Sequence, residues 1–344
     1  MYQALRPRRP AIIAAVELVC PAGGLPALKA AVDNGADWVY AGLRDDTNAR
    51  NFAGLNFDRA TLRAGLDYAH RRGRKVVLAV NTYPQAGNWE RWTRALDLAA
   101  GLGADAVIVA DAALMRYAAR THPALALHLS VQASATSYEA INFFHEQFGV
   151  KRAVLPRVLS LQQVKLVARN TPVEIEVFGF GSLCVMVEGR CALSAHACGE
   201  SPNLSGACSP AHAVRWREHA GALEARLAGV LIDRYAKGER AAYPTVCKGR
   251  YSAGCATYYA FEEPASLNTL ELIPDFGRIG VRAIKIEGRQ RSPAYVAQVT
   301  RVWREAIDAW KTGAFAPRSA WMAALDRHAE GSQHTLGAFS RPWK

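Results

Sequence analysis

The sequence predicts an α/β chain of the (β/α)8, TIM-barrel-like class, with a cysteine-rich insertion between strands seven and eight. Three observations carry that expectation. A unit made of a helix pattern, a closing Gly, one or more turn residues and a short β-rich run recurs along the chain. Eight β-rich runs alternate with helix patterns, which is the arithmetic of a closed parallel barrel. One interval, residues 179–281, breaks the spacing and holds six of the seven cysteines. A doubly wound open sheet competes, but no glycine fingerprint follows the first strand.

Taken in order, the chain starts with a basic stretch. Arg6-Pro7-Arg8-Arg9 and the apolar run 11–16 imitate a signal peptide, and Cys20 imitates a lipidation site. Glu17 ends the run early, and Val19 stands where a small residue should precede a lipidated Cys. Residues 1–15 are therefore expected to be a basic extension of a cytoplasmic chain, whose cysteines stay reduced. Strands are expected at 16–20, 38–41, 75–80, 106–109, 126–130, 153–155, 173–178 and 283–286. The recurring unit is clearest at Gly35-Ala36-Asp37-Trp38-Val39-Tyr40 and at Gly103-Ala104-Asp105-Ala106-Val107-Ile108-Val109. Gly after a helix supplies a left-handed cap, and the apolar run then enters a buried parallel strand. Helix patterns fill 58–72, 89–102, 138–148 and 161–170, and a last helix is expected at 293–310. The barrel thus spans 16–311, and 312–344 is a tail.

Composition narrows the function classes. With 50% hydrophobic and 21% charged residues in 344, the chain is neither disordered nor collagen-like. No run approaches the length of a membrane-spanning helix. The net charge of +12 favours acidic partners. Its arginines are scattered rather than clustered, which argues for a solvated basic surface and against nucleic acid.

The insertion cysteines are Cys184, Cys191, Cys198, Cys208, Cys247 and Cys255. The first three lie seven apart, a spacing that on one helix would only mark a buried stripe. Gly181, Gly189, Gly199, Pro202, Gly206 and Pro210 exclude a long helix there. A loop-rich, cysteine-rich insertion above a barrel mouth points to a thiolate-held metal centre, iron–sulfur or zinc. No tight C-x-x-C pair favours a zinc ribbon. Spacing alone leaves the four ligands open, with His196 and His212 as substitutes.

Two motifs carry a resemblance. Glu17-Leu18-Val19-Cys20-Pro21-Ala22-Gly23 and Lys285-Ile286-Glu287-Gly288-Arg289 resemble the collagenase-like peptidase family. Further segments are similar to its UbiU branch, which serves oxygen-independent ubiquinone biosynthesis. They are Gly42-Leu43-Arg44-Asp45-Asp46-Thr47-Asn48-Ala49-Arg50, Val154-Leu155-Pro156-Arg157-Val158-Leu159-Ser160 and Phe180-Gly181-Ser182-Leu183-Cys184. Glu188-Gly189-Arg190-Cys191, Gly206-Ala207-Cys208-Ser209-Pro210 and Cys247-Lys248-Gly249-Arg250 belong with them. That branch holds a 4Fe–4S cluster on a C-x6-C-x16-C-x38-C pattern, which Cys184, Cys191, Cys208 and Cys247 match. The resemblance implies a heterodimer with a UbiV-like protein and hydroxylation of the ring of a ubiquinone precursor. Prephenate is implied as source of the hydroxyl oxygen. It also implies two alternatives, an RNA-base hydroxylation enzyme and a collagenase-like peptidase. No Ser/His/Asp set or H-E-x-x-H helix supports proteolysis.

The barrel residues complete the candidate site. Lys285 and Glu287 share one face of strand eight by its period of two, and Glu174 and Glu176 share a face of strand seven. Facing inward, these groups bring carboxylates and an ammonium together inside the barrel. Glu287, Lys285 and Glu176 are thus the acid/base candidates, against the alternative of an internal ion pair. Arg289, just past strand eight, is placed to grip a dicarboxylate. Asn81, Gln132 and Arg157 follow strands three, five and six and are further candidates for substrate contact. Asp45, Asp46 and Arg50 lie in the loop after strand two, as a gate, a partner contact or a solvated turn.

Overall fold

The computed structural model describes residues 16–204, 206–331 and 333–341, so the expected basic extension 1–15 lies outside the described residues. Eight parallel strands close a barrel. They are β1 Glu17–Pro21, β2 Trp38–Gly42, β3 Lys75–Val80, β4 Ala106–Val109, β5 Ala126–Leu129, β6 Arg152–Val154, β7 Glu174–Ser182 and the closing strand Ala283–Ile286. The closing strand pairs with both β7 and β1, which leaves the ring without a gap.

Six helices follow the first six strands: α1 Leu25–Asp33, α2 Arg59–His70, α3 Trp89–Leu102, α4 Ala112–Thr121, α5 Tyr138–Phe148 and α6 Leu161–Asn170. Helices Ile273–Ile279 and Pro293–Lys311 flank the closing strand. Local sequence sets their ends. Asp58 and Ser160 each form a capping box, with Thr61 and Gln163 respectively. Gly103 and Gly149 close α3 and α5 in the left-handed region. Alternate strand residues divide between two apolar layers. Leu18, Val39, Leu78, Val107 and Leu129 pack against the helices, whereas Val19, Trp38, Tyr40, Val77 and Ile108 face inward. The barrel interior is not wholly apolar, because His128, Arg152, Glu176 and Lys285 are buried there too.

The long crossover departs from its expected outline. Strand β7 runs on through Ser182, so residues 179–182 extend the barrel wall. Its end pairs antiparallel with strand Ala265–Asn268, which in turn pairs with Gln333–Thr335. Helix Ile273–Ile279 fills the ordinary crossover place. The irregular part therefore narrows to 183–264. It contains the short helix Leu193–Cys198, a meander of Val214–His219, Ala222–Leu227 and Val230–Tyr235, and the hairpin Arg250–Ala253/Ala256–Tyr259. Five of the six residues of Val214–His219 are exposed, so no period-two apolar signal marks that strand in the sequence. The tail is built into the fold through Gln333–Thr335 and helix Ser319–Asp326.

Candidate functional site

Arg157, in the loop after β6, is the hub of the C-terminal mouth. Its Nε donates to Glu188 Oε1 at 2.7 Å, and its Nη1 donates to the Ser182 carbonyl at 2.6 Å and to Glu287 Oε2 at 2.5 Å. One buried guanidinium thus ties the β6 loop, the end of β7, the cysteine segment and the residue after the closing strand. Arg50 Nη2 stands 3.6 Å from the other Glu287 oxygen. Burial works to raise the Glu287 carboxyl, but Arg157 and Arg50 outweigh it and hold it below the ordinary glutamate range. Glu188 goes the other way: burial pushes it up against the pull of Arg157, and its Oε2 has no hydrogen-bond partner among the described residues. Gly181, at φ 131, lets Glu287 approach; a Cβ there would lie 2.6 Å from Glu287 Cβ.

A second charged layer lies deeper. Lys285 Nζ donates to Glu176 Oε1 at 2.7 Å and sits 4.0 Å above the Tyr40 ring. Arg152 Nη1 stands 3.7 Å from Glu176 Oε2. Burial pulls the Lys285 ammonium down, and Glu176 opposes that pull. Arg289 is buried beside this layer and donates to Asn48 Oδ1 at 2.6 Å. Burial brings its guanidinium down to about 10, which leaves it cationic at neutral pH. Asn81 uses its Oδ1 to accept from the Ala49 backbone N–H at 3.1 Å. Gln132 is buried, and its carbonyl accepts from Tyr83 Oη at 2.7 Å.

The expected single group of Glu287, Lys285 and Glu176 is therefore two groups. The pairing register shifts between Lys285 and Ile286, and the strand ends at Ile286, so Glu287 points to the mouth instead of continuing the alternation. Glu174 does not share the interior with Glu176. At the first position of β7 it is partly exposed and pairs with Arg152 at 2.6 Å and Arg282 at 3.5 Å. Sequence reasoning passed over Glu188 as a carboxylate, and Tyr40 and Tyr295 altogether. Tyr40 Oη donates to the Ile286 carbonyl at 2.9 Å and Tyr295 Oη to that of Glu287 at 3.1 Å. Glu188 lay inside a quoted motif, but nothing local says that Arg157 reaches it.

The cysteines meet this mouth. Cys184 feels the charge of Glu188, Arg157 and Cys208; Cys208 feels Arg50, Cys191 and Glu287; Cys247 feels both Cys208 and Cys191. The four thiols thus form a chain of electrostatic neighbours, of which Cys184 and Cys208 also feel the Arg157–Glu287 pair. Burial raises Cys184 and Cys208, and pushes Cys247 up to about 11. Thiolates here need a compensating cationic group, and four soft sulfurs fit iron–sulfur or zinc in kind. Among the described residues no three His, Cys, Asp or Glu side chains converge on one point as they would around a single metal ion. The other cysteines have different surroundings. Cys198 donates to the Ser194 carbonyl at 2.9 Å, Cys255 is exposed, and Cys20 is buried beside Thr300. His212, once a substitute ligand, stands 3.3 Å from Glu200. Gly189, at φ 85, seats the cysteine segment on the β5 loop, where a Cβ would lie 2.1 Å from the Gln132 carbonyl oxygen. Beside this contact a cavity of about 300 Å³ opens between Ser134, Thr136, Val185, Met186, Val187 and Arg190.

The sequence profile of peptidase family U32 matches residues 23–341. The chain belongs to that family. An uncharacterized protease of Methanocaldococcus jannaschii is 34% identical over 305 residues, covering 87% of this chain and 67% of that protein. The tRNA hydroxylation protein P of Escherichia coli is 30% identical over 315 residues, covering 85% of this U32 chain and 68% of the relative. The chain spans about two thirds of the length of each. Among solved structures, a dihydrodipicolinate synthetase-like protein of Pseudomonas aeruginosa aligns over 91% of this chain and 81% of its own, at a TM-score of 0.44 and 11% identity. The barrel assignment rests on strand pairing rather than on that likeness. Among the described residues no helix is long and apolar enough to cross a membrane.

Proposed function

We propose that this U32 chain is the cluster-bearing subunit of an oxygen-independent hydroxylase in ubiquinone biosynthesis. In this reading Cys184, Cys191, Cys208 and Cys247 hold a 4Fe–4S cluster, and a UbiV-like protein completes a heterodimer. The observation that supports it is the chain of electrostatic neighbours formed by those four thiols, with Cys184 and Cys208 beside Arg157 and Glu287 at the barrel mouth. Cys184, Cys191, Cys208 and Cys247 would hold the group; four soft sulfurs suit an iron–sulfur cluster or zinc in kind, and the resemblance of their spacing to the ubiquinone branch favours the cluster.

The cluster, when bound, supplies one-electron redox chemistry. The chain's own residues do the rest. Glu287, kept ionised by Arg157 and Arg50, is a proton acceptor facing the mouth. Arg289 and Arg157 offer guanidinium groups to a dicarboxylate such as prephenate. The Lys285–Glu176 pair forms a charged floor that orients what enters above it. The identity of the ring substrate follows from the resemblance of the loop and cysteine motifs to the ubiquinone branch.

The test is hydroxylation of the ubiquinone precursor by the anaerobic heterodimer with Glu287→Gln. Turnover should fall by about a hundredfold or more while the cluster spectrum and partner binding persist. Loss of folding would make Glu287 a structural member of the Arg157 network instead. A second reading, hydroxylation of an RNA base, is favoured by the likeness to tRNA hydroxylation protein P. Tight, salt-sensitive RNA binding by this chain would bring it forward.

A further inference from the structure

The opposite end of the barrel holds a second cavity, of about 420 Å³. It opens among the first residues of the strands, the face that in this fold class ordinarily serves stability. Trp38 opens β2, Lys75 opens β3, Glu174 opens β7, and Asp105 and Lys151 immediately precede β4 and β6. His128 lies behind this rim, on the cavity wall.

The donors and acceptors around it are unequally satisfied. Both carboxylates are engaged: Asp105 Oδ2 with His70 and the Val76 N–H, each at 2.8 Å, and Glu174 with Arg152 and Arg282. The cations are not. The ammonium groups of Lys75 and Lys151 form no ion pair or hydrogen bond among the described residues, Lys75 resting only above the Trp38 ring at 4.9 Å. His128 is 4% exposed, lies tilted against the Trp38 ring at 5.3 Å between centroids, and makes no hydrogen bond among the described residues. Outside the lining, Arg152, whose guanidinium lies 5.1 Å from the Trp38 ring, has a buried Nη1 without a hydrogen-bond partner among the described residues.

We propose that this N-terminal mouth binds a small oxyanion, a phosphate ester or a carboxylate. Lys75 and Lys151 pair with its charge at the rim, and the imidazole N–H of His128 reaches it from the wall. The site stands at the end of the barrel away from the cysteines, and it does not depend on the hydroxylase reading.

The experiment is calorimetric titration of the intact chain with inorganic phosphate and, separately, malonate. It is repeated on Lys75→Ala/Lys151→Ala, whose exposed positions leave the fold in place. The His128 ring resonances are followed in parallel. Saturable binding of either anion, about tenfold weaker in the double variant and accompanied by a shift of the His128 ring signals, is the expected result. Phosphate alone or malonate alone identifies the kind of ligand. No saturable binding of either anion overturns the proposal, as does binding that the double variant retains in full.

Discussion

Arg157 binds two carboxylates of opposite tendency, Glu287 held ionised and Glu188 pushed up by burial. A single proton on the mouth therefore belongs to Glu188 first, which leaves Glu287 the free base. The deeper pair makes a separable claim. Lys285→Met removes the partner of a buried carboxylate, and such losses cost about 3–5 kcal/mol. Arg152, 3.7 Å from Glu176, should hold the loss to the lower end. Urea unfolding should show that cost, and Lys285→Met/Glu176→Leu should recover most of it without recovering activity. Recovery of activity in the double variant would deny the pair any role in turnover. His128 makes a prediction about pH. Burial, then Arg152 and Lys285, hold its ring well below the ordinary histidine range, so it stays neutral when folded. The unfolded ring takes a proton near pH 6.5, so the unfolded chain binds more protons below that pH. Stability should therefore fall as pH drops from 7 to 5.5, by up to about 1.4 kcal/mol per unit from this residue. His128→Leu should flatten that slope; an unchanged slope would mean the ring charges inside the barrel.

At the scale of elements, the barrel supplies position and the segment 183–264 supplies the thiols. Their contact at Gly189 is strict, since any side chain there meets the Gln132 carbonyl and must adopt φ 85. Gly189→Ala should strip most of the iron from the chain while far-UV circular dichroism stays unchanged. Full iron content in that variant would show that the segment can shift without losing its ligands. The same contrast explains what could be read beforehand. All eight barrel strands were legible because each is a short, mostly apolar run, and from the second on each follows a helix, a signal confined to about ten residues. Arg157's partners were not, since Arg157 reaches Glu287 across 130 positions and no local pattern encodes that reach. The end of the closing strand misled for a different reason. Period-two reasoning carries Glu287 to the face of Lys285, and a register shift at Ile286 breaks the period.

At the scale of the whole molecule, the chain is a closed barrel with two chemically different mouths. The C-terminal mouth gathers four partly buried thiols, two arginines and an ionised carboxylate. The N-terminal mouth gathers two lysines, two paired carboxylates and a neutral imidazole. The polar contacts of Lys285, Glu176 and Arg152 run between them through the interior. The hydroxylase reading stands or falls with the first mouth. Its most direct test is iron and acid-labile sulfide per chain after anaerobic purification, with the visible spectrum, for the wild type and the Cys184/Cys191/Cys208/Cys247→Ala variant. The account predicts about four of each per wild-type chain and almost none in the variant. Zinc in their place, or no metal under strict anaerobiosis, would contradict it and leave the four thiols as packing in a barrel of another purpose.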